Sequence, residues 1–360
     1  MRLSRLHWGL IWVLLLAAVT LSPAGESAHD RGEVRPPKTA KLPEPTYKIQ
    51  AGIDGEIYPV FANYASLQGE TERSFGTVSV TVTNPTTAEL KQRIEVSIQG
   101  WSDPEIQMAE LGPGASHTFL FAPSFLPRFY LNREITAATA KLTASDPSGR
   151  TLFETTVPVR LRSAEDMYWG PAFKYAPFIA SWVTPHAPQV EELLAKAKQL
   201  TPDRRLPGYE SWKTPAQQEQ ETYLEAKALF NALKDSGLSY VKSSLTLGEH
   251  KSVSERIRLP KATLARSSGN CIDAVVAYAS LFENLGMQPE VVLVPGHAYV
   301  GVRSAHDGKD FLFVDAALTG RTTFESAVAS ARAGIDRNAP ASIRQVNIEE
   351  ARAAGIYPMP

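Results

Sequence analysis

Cys271 is the only cysteine of the 360-residue chain, and its sequence context is typical of a reactive thiol. Asn270 is a good N-cap residue, and Asp273 follows three residues later as an acidic variant of the capping box. Apolar residues from Val275 to Leu285 then recur with helical spacing, which predicts Cys271 in the first turn of an amphipathic helix. The unpaired N–H groups and the dipole at a helix start favour a thiolate. Cys271 is therefore a candidate nucleophile, and the alternative is a small buried apolar residue.

His297 and Asp315 stand on two predicted neighbouring strands. The apolar runs at 297–303 and 311–315 predict an antiparallel hairpin. If residues 304–308 form its loop, His297 lies directly opposite Asp315, and opposed side chains share one face with about 4.5–5.5 Å between their Cβ atoms. A carboxylate in that position can hydrogen-bond one imidazole nitrogen and stabilise the imidazolium. With Cys271, these residues form a candidate set of nucleophile, general base and orienting acid for acyl transfer.

The predicted helices and strands that position these residues indicate an α+β protein with two domains. In residues 47–163, short apolar or alternating runs are separated by turn sequences rich in Pro, Gly, Asp and Asn, which predicts an antiparallel β-sandwich of immunoglobulin or fibronectin type III shape. This region gathers no catalytic residue types, so we expect a spacer or a binding module. Residues 164–360 form the second domain, in which an aromatic cluster, expected in the core, and two helices connect to the candidate site.

The first residues of the chain predict export. Residues 1–24 combine Arg2 and Arg5 with an apolar run that is short for a membrane span, which is typical of a cleaved signal peptide, with an uncleaved anchor as the alternative. Residues 25–46 are rich in proline and predict a flexible linker. We therefore expect a periplasmic or secreted protein, which would contact the membrane only if the signal were left uncleaved. Exported chains use cysteine mainly in disulfide pairs, so a lone Cys271 is informative.

Composition argues against several classes of partner. The chain has 37 basic and 38 acidic residues and a formal net charge of −1, which gives no electrostatic reason to expect nucleic acid. The sequence contains no phosphate-binding loop and no dinucleotide fingerprint. Its His, Cys, Asp and Glu residues lack the spacing of zinc or calcium sites, so we expect no metal and no cofactor.

Three segments around the candidate residues resemble the motifs of the transglutaminase-like superfamily. They are Ser-Gly-Asn-Cys-Ile-Asp at 268–273, Pro-Gly-His-Ala-Tyr-Val-Gly-Val at 295–302 and Phe-Val-Asp at 313–315. The resemblance covers about residues 180–320 and implies a papain-type α/β thiol fold with Cys271 as nucleophile, His297 as base and Asp315 as orienting acid. The layout is similar to that of bacterial exported members. The superfamily includes peptide hydrolases, amidases, cross-linking transamidases and proteins that have lost activity.

The chain departs from the family pattern upstream of the cysteine. The resemblance implies a side-chain oxyanion donor there, often Gln or Trp, and Glu255 stands where a Gln would suit. Tyr240 is a second candidate, and the backbone N–H of Cys271 is also available for the developing oxyanion. Arg256 and Arg258 belong to a mildly basic stretch that could clamp a substrate carboxylate or simply form a solvated face.

These observations predict a thiol-dependent acyl-transfer enzyme that acts on peptide or isopeptide amide bonds through a thioester. Hydrolysis is slightly preferred over transamidation because water is the default acceptor in an exported enzyme without a cofactor. The expected partner is a protein or peptide substrate, including components of the cell envelope. The alternative is a catalytically silent protein of the same fold that serves as a binding or scaffold module of the envelope.

Overall fold

Turn-forming residues divide the first part of the chain into short strands, as the sequence predicts. The computed structural model describes residues 43–69, 75–241 and 254–360 as a mixed α and β protein, and Pro43–Pro360 form one compact unit. The expected signal peptide and most of the expected linker lie outside the described residues. The elements of the first part are β1 (Thr46–Ala51), β2 (Glu56–Ile57), α1 (Pro59–Ser66), β3 (Val78–Thr83), β4 (Leu90–Ile98), β5 (Glu105–Leu111), β6 (Ser116–Phe121), α2 (Pro127–Tyr130), β7 (Thr136–Ser145) and β8 (Thr151–Leu161).

These strands form two sheets, with the orders β1-β3-β6 and β2-β8-β7-β4-β5. Alternate residues point to one face, and the inward residues of both sheets, such as Val80 and Val96, belong to one hydrophobic cluster. Two features differ from the predicted antiparallel arrangement. The short strand β2 pairs in parallel with β8, and helix α1 interrupts the strands. Helix α1 places Phe61 in the hydrophobic cluster of the second part, so its apolar residues serve both cores.

The second part contains the helices and strands that carry the candidate site. They are β9 (Asp166–Tyr168), α3 (Pro188–Ala197), α4 (Pro215–Asp235), β10 (Ser239–Tyr240), β11 (Ser254–Arg256), α5 (Pro260–Arg266), β12 (Ser268–Gly269), α6 (Cys271–Asn284), β13 (Pro289–Val294), β14 (His297–Arg303), β15 (Phe311–Val314), α7 (Phe324–Asp336), β16 (Arg344–Asn347) and α8 (Ile348–Ala353). The two predicted helices before the site correspond to α3 and α4. Proline stands in the first turn of both, where its missing N–H costs no hydrogen bond.

A four-stranded antiparallel sheet of order β15-β14-β13-β16 is the framework of the site. Side chains alternate across it, so Val300 of β14 joins the large cluster that contains the buried residues of α6. Tyr299 points to the opposite face and packs with Ala331 of α7. The sheet therefore holds α6 on one face and α7 on the other. The last strand, β16, closes the sheet at one edge, beside β13.

A small sheet connects the strands of the first part to the segment that precedes the cysteine. Strand β9 follows the first part directly and pairs with β11, with Glu255 opposite Met167. The hydroxyl of Tyr58, next to α1, lies 2.6 Å from the Ser254 hydroxyl. Within the described ranges, no helix is long and apolar enough to cross a membrane.

Candidate functional site

The start of α6 fixes the position of Cys271. The Asn270 side chain accepts a hydrogen bond from the Asp273 N–H at 2.8 Å, and Asp273 Oδ2 accepts one from the Asn270 N–H at 3.1 Å. This reciprocal capping box confirms the predicted helix start and places Cys271 at the first helical position. The first N–H groups of a helix have no partner within it, so they face the region around the sulfur with their partial positive charge. Cys271 is 7% exposed.

A second contact holds the loop before this helix. Asp273 Oδ1 accepts a hydrogen bond from the Arg258 N–H at 2.8 Å, and the Arg258 guanidinium donates to the Ser268 carbonyl at 3.2 Å. Burial raises the pKa of Asp273, while its hydrogen bonds from Arg258 and Asn270 act in the opposite direction. The carboxyl of Asp273 therefore connects the start of α6 to the segment at Arg258.

His297 and Asp315 are in contact, as predicted. His297 Nε2 lies 3.0 Å from Asp315 Oδ1. The predicted register is wrong by two residues, because β14 pairs with β15 through Gly301 opposite Phe313, whereas the prediction placed Gly301 opposite Phe311. The connection between the strands is longer than five residues, and the Ser304 N–H donates to the Asp310 carbonyl across it at 2.8 Å. A shift of two residues keeps both side chains on the same face, so they meet diagonally.

The imidazole of His297 interacts with both other members of the candidate set. Burial lowers its pKa, but hydrogen bonds and charge interactions with Asp315 and Cys271 outweigh burial and raise the pKa to about 9. Because Nε2 is bound to Asp315, Nδ1 is the nitrogen left for the sulfur. At neutral pH the ring is thus held as an imidazolium between a carboxylate and a thiol, which is the arrangement that activates a cysteine.

Two residues that sequence reasoning did not identify complete the surroundings of the histidine. The Ser330 hydroxyl on α7 donates to Asp315 Oδ2 at 2.9 Å. The Tyr299 ring lies edge-on to the His297 ring, with 4.7 Å between the ring centroids and an interplanar angle of 81°. The strand pattern could have placed Tyr299 beside His297, because residues two apart share a face. No sequence pattern pairs Ser330 with Asp315, since the contact depends on how α7 packs on the sheet.

Comparison with protein families, with curated proteins and with solved structures finds no match to this chain.

Tyr240 lies near the thiol and is 38% exposed. Burial raises the pKa of Tyr240, and the charges of Cys271 and Asp315 act in the same direction. Strand β10 carries Tyr240 alongside β12, and the Val241 N–H donates to the Gly269 carbonyl at 2.8 Å. A small pocket beside the start of α6 is lined by Leu238, Ser239, Tyr240, Gly269, Asn270, Ala274, Ala316, Ala317 and Thr319. Tyr240 thus lines a pocket beside the start of α6, and the charge of Cys271 acts on its hydroxyl.

Glu255 is held elsewhere. Its side chain is buried in the small sheet, and Oε2 accepts a hydrogen bond from Trp169 Nε1 at 3.2 Å. Burial raises the pKa of Glu255 to about 7, the bond from Trp169 lowers it, and the charge of Asp273 raises it further. Within the part of the chain that the structure describes, the Glu255 carboxyl thus interacts with Trp169 and Asp273. The structure thus brings Tyr240, but not Glu255, towards the thiol.

The two candidate arginines serve structural contacts. Arg256 donates to the Arg133 carbonyl at 2.9 Å, and its Nε lies 3.6 Å from Asp166 Oδ1. It therefore connects strand β11 to the first part of the chain. Arg258 is engaged with the loop before α6, as described above. Across the residues that the structure describes, no group of three or more His, Cys, Asp or Glu side chains is arranged to hold a metal ion.

Proposed function

We propose that this protein is a thiol-dependent acyl-transfer enzyme that acts on peptide or isopeptide amide bonds. The observation that supports this function best is the position of His297, whose Nε2 is bound to Asp315 and whose pKa is raised to about 9 by Asp315 and Cys271 together. The capping box sets Cys271 in the first turn of α6, and Cys271 interacts with the His297 ring. Three groups with complementary roles therefore meet at one point of the fold.

The proposed reaction has two steps. The Cys271 thiolate attacks the amide carbonyl carbon, the C–S bond forms, and Nδ1–H of the His297 imidazolium protonates the leaving nitrogen as the C–N bond breaks. Water then attacks the thioester and gives a proton to Nδ1, and the breaking C–S bond restores the thiolate. The sum is amide plus water to carboxylic acid plus amine. In transamidation a second amine replaces the water, and we slightly prefer hydrolysis.

The developing oxyanion needs hydrogen-bond donors near the sulfur. The backbone N–H of Cys271, at the first helical position of α6, is such a donor because the helix does not use it. The Tyr240 hydroxyl is the side-chain candidate that the structure favours, since the charge of Cys271 influences it. Glu255 is bound to Trp169 and does not take this role.

We also propose that residues 164–360 belong to the transglutaminase-like superfamily with its papain-type fold. The order of the three elements supports this proposal: cysteine on α6, histidine on β14 and aspartate directly after β15. For residues 47–163 we propose an immunoglobulin or fibronectin type III-like sandwich, supported by the two facing sheets and their shared core. The proposed location is outside the cytoplasm, as the sequence of residues 1–24 predicts.

Labelling of Cys271 tests the proposed function. Iodoacetamide should alkylate the folded protein at pH 7 faster than the urea-denatured protein, because the imidazolium favours the thiolate. His297→Ala should slow the reaction greatly, whereas His117→Ala, on strand β6, should leave it unchanged. If the folded protein is labelled no faster than the denatured protein, the proposed enzymatic function is refuted.

A second measurement identifies whether water or an amine accepts the acyl group from the thioester. On a glutamine-containing protein substrate such as casein, hydrolysis releases ammonia without incorporating a fluorescent primary amine, and transamidation incorporates the amine. New amino termini would instead indicate peptide-bond cleavage. Amine incorporation that depends on Cys271 would refute the preference for hydrolysis.

The low exposure of Cys271 favours a second candidate function. Cys271 is 7% exposed and belongs to the large hydrophobic cluster, and a silent member of the fold would also contain such a buried cysteine. Such a protein would serve as a binding or scaffold module of the cell envelope. Its folded form would resist iodoacetamide, so the labelling experiment separates the two functions.

A further inference from the structure

Helix α7 contacts the aspartate of the candidate set at two points. The Asp315 N–H donates to the Ala327 carbonyl at 3.1 Å, and Asp315 Oδ2 accepts a hydrogen bond from the Ser330 hydroxyl at 2.9 Å. Backbone and side chain of Asp315 are thus both held by the same helix. Asp315 is only 6% exposed, so solvent contributes little to the orientation of its carboxyl.

The same face of α7 also contacts the residue on the other side of the imidazole. Gly334 lies so close to Tyr299 that an added Cβ would come within 1.9 Å of the phenol oxygen. Positions 327, 330 and 334 are three and four residues apart, and such positions are neighbours on one helix face. That face therefore consists of a small residue, a hydroxyl and a glycine. Larger side chains at Ala327 or Gly334 would move α7 away from the sheet.

The two side chains that α7 holds are those that restrict the His297 ring. Asp315 Oδ1 is bound to Nε2 at 3.0 Å, and the Tyr299 ring lies edge-on at 4.7 Å. An aspartate carboxyl rotates readily about its last torsion, because that torsion has a broad energy profile. Ser330 holds one carboxylate oxygen and so directs the other towards the ring. Without that hydroxyl, the carboxylate can turn and the bond to Nε2 loses its alignment.

We propose that α7 is the positioning helix of the site, with Ser330 as a positioning residue that orients Asp315 towards His297. The inference rests on the proposed function, because orientation of the imidazole matters only if the ring serves Cys271. Ser330 acts through its hydrogen bond to Asp315, so its effect on the thiol passes through that carboxylate. A purely structural role would instead hold α7 on the sheet and leave the thiol unaffected.

The test compares three substitutions on the same helix. Ser330→Ala removes the hydroxyl, Ser330→Thr retains one, and Ser326→Ala removes an exposed hydroxyl from the first turn of α7 as the control. The rate of Cys271 alkylation by iodoacetamide is measured from pH 5 to 9, with urea unfolding of each variant alongside. These measurements separate an effect on the thiol from an effect on the fold.

We expect Ser330→Ala to slow alkylation at pH 6.5 by about tenfold, as expected for loss of one hydrogen bond to a charged group. The pH profile should move to higher pH, and Ser330→Thr should restore most of the wild-type rate. A Ser330→Ala profile that coincides with that of Ser326→Ala would overturn the positioning role while leaving the proposed function intact. If the wild-type protein reacts no faster than denatured protein, both the proposed function and this inference fail.

Discussion

Asp315→Asn is the substitution that tests the centre of the site most directly. Asparagine has nearly the same shape as aspartate and can still accept the hydrogen bond from Ser330, but it carries no charge. In the wild-type protein, burial lowers the pKa of His297 while Asp315 and Cys271 raise it, with a net value of about 9. Removing the charge of Asp315 leaves burial opposed by Cys271 alone, so the pKa of His297 should fall towards 6.5 or below.

The magnitude follows from that pKa difference. A rise from 6.5 to about 9 corresponds to about 3 kcal/mol at ~1.4 kcal/mol per pH unit. Because the folded-state pKa is raised, the stabilisation is fully present below pH 6.5 and is lost as the pH rises through about 9. Asp315→Asn should therefore be less stable than the wild type at pH 6, by up to about 3 kcal/mol. The difference should shrink above pH 9, where the wild-type imidazole is neutral.

Three measurements check this expectation. NMR titration of His297 gives its pKa, urea unfolding at pH 6 and 9.5 gives the stability difference, and iodoacetamide alkylation at pH 7.5 should slow at least about tenfold. The chain offers a matched control in the exposed pair His306–Asp307, whose ring nitrogen and carboxylate oxygen are also 3.0 Å apart. Asp307→Asn should change none of the three. The reasoning is refuted if the His297 pKa stays near 9 in Asp315→Asn, or if the stability difference does not depend on pH.

Three other substitutions have defined outcomes. Gly301→Ala places a Cβ 2.8 Å from neighbouring side chains and should cost about 1–3 kcal/mol in urea unfolding, whereas Gly112→Ala, with open space around it, should cost far less. Burial raises the pKa of Glu255 to about 7, so its ionisation destabilises the wild type as the pH rises from 4.5 to 7. The free energy of unfolding of Glu255→Gln should therefore rise by up to about 3 kcal/mol relative to that of the wild type between pH 5 and 8. A stability difference that does not change with pH would contradict the burial argument. Asn270→Ala should cost about 1 kcal/mol of stability and slow alkylation of the thiol. Asn347→Ala removes the N-cap of α8 and should lower stability alone. Equal alkylation rates in the two variants would contradict the role of the capping box.

The start of α6 could be predicted because its determinants are local. Asn270 and Asp273 are three residues apart, and the structure has both hydrogen bonds of the box. A capping box depends only on residues within one turn, so the sequence pattern contains all the information it needs. The same holds for α4, whose Thr214 and Gln217 form a second box.

The contacts around Asp315 and Glu255 could not be predicted, because they depend on packing between distant segments. Ser330 reaches Asp315 only through the placement of α7 on the sheet. Glu255 is bound to Trp169, which is 86 residues away in sequence, so a pattern around the cysteine does not show that its carboxyl is occupied. Helix α1 was also missed, since its apolar residues serve two cores and lack a single periodic face.

The His297–Asp315 pair was predicted from a register that is wrong, and the reason it survives is geometric. The observed pairing is displaced by two residues from the predicted one. Side chains of a strand alternate with a period of two, so a displacement of two moves Asp315 along the strand but leaves it on the same face. The diagonal neighbour is still within reach of an imidazole, whereas a displacement of one would have turned the carboxyl to the opposite face. Face assignment is thus the part of a hairpin prediction that tolerates an error of two residues in loop length. The distance between two side chains does change with that error. When the observed pairing is continued past Val300 and Val314, Tyr299 lies directly opposite Asp315 and His297 is its diagonal neighbour.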